Sequence, residues 1–323
     1  MKRITVKQCP ACKSRLSKFY ERTNDRAYAI HPKEYFTLQL CQTCKTVYIK
    51  DPPLPKLLGD YYLPEKYYSY QEDSSYGYKK LSKLQLWYQD FNYYLIREYI
   101  KKNSFISLIF GSHVKHFYGI SRVEGTKKKI LDVGCGKGDI LKCYKDNGHL
   151  VEGTELFDSA KDVYKRNKIK VHFGDITKLP LHKNNYDLIR MFHVIEHTYN
   201  PYDQLKAIHT VLKPGGKLIL ATPNISSPLV KIFGRYWFHL DTPRHLILFN
   251  QKSLRSLLGK AGYKDIKIQC YTLLTFAHIS FLFQKKYGIN INVLAKLRFI
   301  LWPFENYFNL RNEGDLMLVE CTK

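Results

Sequence analysis

Short apolar runs separated by amphipathic stretches characterise the chain from residue 129 onward. Residues 130–133 form an apolar run with one acid, and a helical pattern begins at Ile140 after a glycine-rich turn. Runs of this length predict buried strands, whereas apolar residues spaced three or four apart predict helices. The same criteria predict further strands at 150–156, 170–173, 186–192, 264–271 and 315–321. They also predict a strand that starts after the Pro-Gly-Gly turn at 214–216 and a helix at 251–261. Strands that alternate with helices indicate an α/β fold with a largely parallel sheet.

The turn after the first of these strands carries glycines at alternate positions, Gly134, Gly136 and Gly138. Glycine adopts backbone angles that a Cβ forbids, and it lets a ligand approach the main chain closely. The dinucleotide motif G-x-G-x-x-G is not met, because Asp139 stands where its third glycine would be. A strand, a glycine turn and a helix therefore predict a nucleotide site of another kind.

Two C-x-x-C motifs lie near the amino end and are formed by Cys9, Cys12, Cys41 and Cys44. Two such turns brought together make a tetrahedral four-thiolate site, which suits zinc. Four protein ligands leave no open position for catalysis, so the predicted metal is structural. Redox disulfides are the alternative, but a thioredoxin-type motif needs a βαβ context that this segment lacks.

Four motifs from residue 132 onward resemble the class I S-adenosylmethionine (SAM) methyltransferases. They are Asp132 with the glycine triplet, V-I-E-H at 194–197, L-K-P-G-G at 212–216 and P-R-H at 243–245. The resemblance is to the group that contains ubiquinone and sugar methyltransferases, here preceded by a zinc ribbon. It implies a Rossmann-like seven-stranded sheet with a reversed last strand, and SAM as the methyl donor.

The resemblance also implies roles for individual residues. Cofactor contacts are expected from Asp132, Gly134, Cys135, Gly136, Gly138, Glu155, Leu156, Asp175, Ile176 and His193. Glu155 would accept hydrogen bonds from the ribose hydroxyls, and Asp175 would contact the adenine amino group. The candidate catalytic bases are His197 and His245, and the residues expected to face the substrate are Glu196, Trp237 and Arg244.

Residues 193–197 also match the metal-binding pattern H-x-x-E-H. That motif requires a helix interior, whereas this segment follows a predicted strand and Pro201 limits any helix there. We therefore interpret it as a loop at the carboxyl end of the sheet, where ligands bind. Two alternatives stay open: a divalent metal held by His193, Glu196 and His197, or a structural role in which Glu196 caps a helix and His197 packs.

The motifs divide the chain into a zinc ribbon at 1–55, a tyrosine-rich connector or lid at 56–119 and a methyltransferase domain at 120–323. Helical spacing predicts a helix at 79–102 in the connector. A helical insertion at 272–314 interrupts the methyltransferase domain. Its apolar and basic residues suit either an interfacial helix or a helix that covers the substrate cleft.

The net charge of +24, from 52 Lys and Arg against 28 Asp and Glu, favours anionic partners such as phosphorylated substrates, lipid head groups or nucleic acid. No dense basic run is present, so a simple solvated surface is an equally physical explanation. We find no apolar signal segment and no run of about 20 apolar residues. We therefore expect a cytoplasmic protein, and peripheral contact with the inner face of the membrane stays open.

A zinc ribbon ahead of such a domain resembles methyltransferases of deoxysugar and cell-surface glycan pathways. The expected substrate is therefore a small molecule, a sugar or polysaccharide precursor methylated on oxygen or carbon, with a phosphate or lipid link left open. One alternative is a quinone or other aromatic hydroxyl. Another is an RNA-binding protein or RNA methyltransferase that uses the ribbon. Thr222-Pro223-Asn224 replaces the N-P-P-Y motif of amino methylation, so nucleic acid is not the expected partner.

Overall fold

The computed structural model describes residues 2–62, 120–156, 161–272, 275–290 and 300–323, with the single positions 91, 94–96, 99 and 115. The predicted helix at 79–102 lies outside the described residues apart from a few of these positions, and so does most of the connector.

Eleven strands occur in the described part of the chain. They are β1 (Ser17–Asn24), β2 (Tyr35–Cys41), β3 (Val47–Ile49), β4 (Lys129–Val133), β5 (Leu150–Glu155), β6 (Lys170–Phe173), β7 (Tyr186–Phe192), β8 (Leu212–Pro223), β9 (Ile247–Leu248), β10 (Lys264–Tyr271) and β11 (Leu316–Thr322). The strand limits predicted for β6, β7 and β10 agree with these bounds, because apolar runs set them locally.

The main sheet has seven strands in the order β10-β11-β8-β7-β4-β5-β6. Strand β11 is antiparallel to both of its neighbours, whereas the pairs within β8-β7-β4-β5-β6 are parallel. This confirms the predicted seven-stranded sheet with a reversed last strand. Ile130 and Leu131 on β4 are both fully buried, as expected for a central parallel strand covered on both faces.

Eight helices flank the strands in the described residues. They are α1 (Pro55–Leu58), α2 (Asp139–Asp146), α3 (Lys161–Arg166), α4 (Pro201–Val211), α5 (Pro228–Phe233), α6 (Gln251–Ala261), α7 (Thr275–Tyr287) and α8 (Trp302–Leu310). Helix α6 has the limits that the sequence predicts. Asn250 and Ser253 form a capping box at its start, and Gly262 ends it at a φ of 102°.

A second sheet joins the amino-terminal ribbon to the part of the chain that carries the main sheet. Its order is β1-β2-β3-β9, and β9 comes from the segment that follows the P-R-H motif. Val47 pairs with Leu248 and Tyr48 with Ile247. The Asn250 side chain also donates to the Cys44 carbonyl at 2.8 Å. The two predicted domains therefore share one sheet.

Helix α7 of the insertion packs against the end of α5 and the segment that follows it. The ring of His278 lies 5.0 Å from that of Phe233, and Phe281 lies 5.9 Å from Phe238. No helix among the described residues combines the length and the apolar character that crossing a membrane requires. Contact of this insertion with a lipid surface stays a prediction.

Candidate active site

The loops that follow β4, β5, β6 and β7 meet at one edge of the main sheet. Parallel pairing places Val133 beside Thr154 and Glu155 beside Phe173. The amide of Gly134 donates to the Thr154 carbonyl at 2.9 Å and ties the glycine loop to β5. This carboxyl edge is where open α/β sheets bind ligands.

The glycine loop has one face against protein and one face open. A Cβ on Gly134 would lie 2.4 Å from Val194 Cγ2, so this position packs directly on the loop after β7. Gly136 has a φ of 54°, and no other part of the described protein lies within 4 Å of its Cβ position. The open main chain at Gly136 can therefore lie against a ligand, which fits a SAM cradle.

Glu155 closes the loop from the side of β5. One carboxylate oxygen accepts from the Gly136 amide at 3.0 Å, and the other accepts from the Leu156 amide at 2.9 Å. Burial raises the pKa of Glu155, although these two amides oppose that effect. After β6, Asp175 accepts from the amide and hydroxyl of Thr177. Both acids stand at the predicted edge, and their cofactor contacts stay predictions.

Three other predicted cofactor residues direct their side chains into the protein. Asp132 is fully buried, and the Arg190 guanidinium donates to both of its oxygens at 2.9 Å. This ion pair fixes β4 to β7, and the cofactor contact of Asp132 stays a prediction. The side chains of Cys135 and Ile176 are also buried, so only their main chains are offered to the cleft.

The loop after β7 is organised by the buried carboxylate of Glu196. His193 Nδ1 lies 3.0 Å from one of its oxygens, and Thr222 donates to the other at 2.9 Å. Burial alone would raise the pKa of Glu196, but the hydrogen bond and charge of His193 lower it to about 2. Glu196 is therefore an anion that holds the loop. Its predicted substrate contact needs correction because the side chain is fully buried.

His197 lies in a short 3-10 turn, Ile195–His197, and not inside a helix. Its Nδ1 is 3.0 Å from the Arg244 carbonyl and 2.8 Å from the Tyr62 hydroxyl. A carbonyl can only accept, so the proton is assigned to Nδ1, and Nε2 keeps a lone pair. Burial and the nearby His245 lower the pKa of His197 to about 4. The imidazole is therefore neutral at pH 7 and able to take up a proton.

His245 lies beside His197, with ring centroids 4.7 Å apart. Its Nδ1 donates to the His239 carbonyl at 2.7 Å, which again leaves Nε2 as the acceptor. One ligand atom from each of Glu196, His197 and His245 lies within 4.8 Å of the others. The arrangement brings both predicted bases together. The metal set considered from the sequence is His193, Glu196 and His197, whereas this cluster has His245 in place of His193.

The predicted substrate contacts of Arg244 and Trp237 need correction. Arg244 is fully buried, and its guanidinium donates to Asp25 at 2.7 Å and to Asp241 at 2.9 Å. Trp237 is 1% exposed and donates to the buried Asp315 at 3.1 Å. Neither side chain is available to an acceptor molecule, because both are already engaged inside the protein.

Tyr62 is a site residue that sequence reasoning missed. It lies near the start of the connector and reaches His197 across 135 positions of sequence. The tyrosine-rich composition of 61–78 was the available signal, but it did not single out one hydroxyl. Only the packing of the first residues of the connector against the loop after β7 brings Tyr62 to the predicted base.

The four cysteines of the ribbon lie in one cluster, with their sulfurs within 4.8 Å of one another. The Sγ atoms of Cys9 and Cys44 are 3.6 Å apart, and those of Cys12 and Cys41 are 3.5 Å apart. Each pair is followed by a residue with positive φ, Lys13 at 64° and Lys45 at 61°. These sharp turns aim all four thiols at one point, so the residues fit a tetrahedral metal site.

Residues 112–268 match the sequence model of a family described as a methyltransferase domain. A ubiquinone biosynthesis O-methyltransferase from Coxiella burnetii is 32% identical over 103 residues, which cover 30% of this chain and 44% of that protein. A protein of the same name from Idiomarina loihiensis is 27% identical over 154 residues, which cover 44% of this chain and 63% of that protein. The chain thus spans less than two thirds of these relatives.

Two solved structures are also similar to this chain. One is a Haemonchus contortus phosphoethanolamine N-methyltransferase 2 in complex with SAM, with 17% identity and a TM-score of 0.48. The similar region covers 95% of this chain and 68% of the Haemonchus chain. The other is a SAM-dependent methyltransferase from Archaeoglobus fulgidus, with 18% identity and a TM-score of 0.46. The similar region covers 72% of this chain and 99% of the Archaeoglobus chain. The match of residues 112–268 shows a methyltransferase domain in this part of the chain, and the strand order of the main sheet is the one expected for the class I SAM-dependent methyltransferase fold.

Proposed function

We propose that the protein transfers a methyl group from SAM to a hydroxyl of a small aromatic acceptor. The observation that carries this proposal is His197, a neutral imidazole with Nδ1 fixed and Nε2 left as a proton acceptor. It stands in the loop that packs on the glycine turn, since Gly134 touches Val194 of the same loop. A base and a cofactor cradle are therefore neighbours.

The residues divide the work of the reaction between binding and proton transfer. When bound, SAM supplies a methyl group on a positively charged sulfur, which the acceptor oxygen takes as the carbon–sulfur bond breaks. The chain contributes the open main chain at Gly136 and the carboxylate of Glu155 to hold the donor. It contributes His197 to receive the hydroxyl proton at Nε2. Orientation of the two reactants supplies most of the rate.

An aromatic hydroxyl suits this site better than the sugar hydroxyl that the sequence analysis favours. The relatives named above act, by their names, in ubiquinone biosynthesis as O-methyltransferases. A weakly basic imidazole with a pKa of about 4 is also a better match for a phenol of pKa near 10 than for a far less acidic sugar hydroxyl. The quinone alternative therefore becomes the main proposal, and the sugar acceptor becomes its competitor.

Parallel assays with labelled SAM test the acceptor class directly. Catechol-type and quinol-type phenols are compared with free sugars and nucleotide-sugars at equal concentrations, and methylated products are identified by mass spectrometry. We expect product from the phenols only. Methylation of a sugar and of no phenol would overturn the acceptor while leaving the SAM-dependent activity in place.

His197→Ala is expected to lower kcat by about 10²–10³, in the range of a lost general base, and to leave SAM affinity unchanged. In the unchanged protein, kcat should stay level from pH 7 to about 5 and fall as the pH drops through about 4. Protonation then removes the acceptor on Nε2. The exposed His182→Ala serves as the control variant. Normal turnover by His197→Ala would show that this histidine only packs.

Tyr62→Phe is expected to lower kcat about 10-fold with KM for SAM unchanged, because it removes a hydroxyl 2.8 Å from His197 Nδ1. The pH at which kcat falls on acidification should change as well, because the removed hydroxyl contacts the His197 ring that becomes protonated there. A change in KM alone, with kcat falling at the same acidic pH as in the unchanged protein, would mean that Tyr62 only packs at the edge of the cleft.

We further propose that the ribbon cysteines hold structural zinc. Removing it with a chelator is expected to cost at least about 5 kcal/mol of unfolding free energy, since zinc binding to isolated finger peptides is worth roughly 10–16 kcal/mol. Urea unfolding measures the loss, and a thiol reagent should detect four newly reactive cysteines as zinc leaves. The same urea midpoint for zinc-free protein would contradict the proposal.

A further inference from the structure

Two histidines and one aspartate form a third cluster among the described residues, separate from the four cysteines and from the cluster that contains His197. His239 lies in the segment after α5, His278 lies in α7, and Asp315 directly precedes β11. One ligand atom from each lies within 4.8 Å of the others. All three are buried, with exposures of 4%, 0% and 0%. Three distant segments of the chain thus converge on one point.

The hydrogen bonds of this cluster leave polar atoms without partners. Asp315 Oδ2 accepts from Trp237 Nε1 at 3.1 Å and lies 2.7 Å from His278 Nε2. Among the described residues, Asp315 Oδ1 and His239 Nε2 have no hydrogen-bond partner. His239 Nε2 is 3.6 Å from Asp315 Oδ2. A fully buried carboxylate with an unpartnered oxygen is costly unless a positive charge compensates it.

We propose that His239, His278 and Asp315 bind a divalent transition-metal ion, with zinc as the expected occupant. Two imidazoles and one carboxylate are the donor set of open zinc sites and of non-haem iron sites. Donors bound tetrahedrally at roughly 2.0–2.1 Å lie about 3.3 Å apart. The observed separations of 2.7 and 3.6 Å bracket that value, so a small side-chain adjustment closes the site.

The surroundings favour an ion that keeps its protein ligands and few waters. Rings of Phe233 and Phe238 lie 5.0 and 6.2 Å from the His278 ring and form an apolar wall. Trp237 orients the carboxylate by its hydrogen bond, in the way that outer groups orient metal ligands. These buried surroundings suit a structural role.

The cluster is linked to the candidate active site through His239. The carbonyl of His239 accepts from His245 Nδ1 at 2.7 Å, and its ring is parallel to that of His193 with centroids 6.3 Å apart. An ion bound here would fix helix α7 and the His239 segment on the edge of β11. His245 would then be held in place indirectly.

Cobalt(II) titration of the metal-free full-length chain tests the proposal without assuming any activity. Cobalt bound by four thiolates absorbs strongly in the near ultraviolet, whereas cobalt bound by nitrogen and oxygen gives only weak visible bands. We expect two equivalents to bind, one with each spectrum. Saturation at one equivalent, with the thiolate spectrum alone, would overturn the proposal.

Three variants assign the second equivalent to its ligands. Asp315→Asn and His239→Leu should each bind one cobalt ion and keep the thiolate bands. His239→Leu removes a metal donor and puts an uncharged side chain in its place. His245→Ala is the matched control, because it removes a ligand atom from the neighbouring cluster instead. It should still bind two. Two equivalents in Asp315→Asn, or only one in His245→Ala, would show that the ion binds elsewhere.

Discussion

Gly136→Val is expected to abolish SAM binding while leaving the fold intact. Its Cβ would lie more than 4 Å from every described atom outside Gly136 and its two chain neighbours. No neighbouring side chain therefore has to move, although the positive φ strains the backbone. The valine side chain would fill the open face of the glycine loop, next to the amide that donates to Glu155. We expect calorimetry to detect no heat of SAM binding, which means a loss of at least about 100-fold in affinity, or roughly 2.7 kcal/mol.

Gly148→Val is the matched control for this experiment. Gly148 has a φ of 82° and also has open space at its Cβ position, but it precedes β5 at the opposite edge of the sheet. Both variants carry similar backbone strain, on the order of 1–3 kcal/mol. Equal losses of SAM binding in the two variants would mean that strain, and not the filled cradle, is responsible. Unchanged binding in Gly136→Val would remove the glycine loop from the cofactor site.

Arg244→Met is expected to destabilise the protein by about 3–5 kcal/mol, the cost of breaking a buried ion pair. The guanidinium is fully buried between Asp25 of the ribbon and Asp241 of the methyltransferase half. Without it, two carboxylates face each other away from water. Burial would raise the pKa of Asp241, but the charge of Arg244 lowers it, so the stability that Asp241 contributes is present above its unfolded pKa and lost as the pH falls.

Urea unfolding at pH 7 measures this cost, and Arg311→Met provides the control. Arg311 also pairs with a carboxylate, Glu313 at 2.9 Å, but its side chain is 55% exposed. Exposed pairs contribute little, so the control midpoint should stay within experimental error. Arg244→Lys should not restore stability, because one ammonium cannot reproduce the forked hydrogen bonds to two partners. Equal midpoints for the two methionine variants would mean that water reaches the Arg244 site.

The main sheet and its loops were predictable because local patterns determine them. The limits of β7 and α6 follow from an apolar run and from a capping residue with a closing glycine, all within a few positions of sequence. The positions of Glu155 and Asp175 at one edge follow from the parallel order of the strands. Each of these features depends on neighbours along the chain or on the fold class.

The partners of individual charged side chains were not predictable in the same way. Arg244 stands in a motif that resembles a substrate contact, but it pairs with Asp25 across 219 positions. Asp132 precedes the glycine turn as the family motif requires, yet Arg190 of β7 takes its carboxylate. Such pairings depend on which distant segments pack together, and neither the periodicity of apolar residues nor the spacing of motifs predicts that packing.

The strand pair β3–β9 has a consequence for how this architecture can change in evolution. Gene fusion usually adds or exchanges a module at a linker, where few contacts cross. Here Val47 and Tyr48 pair with Leu248 and Ile247, so a recombination event near residue 56 would strip β9 of its partner and leave an open apolar edge prone to self-association. The ribbon and the 244–250 segment must therefore be inherited, and must mutate, as one unit.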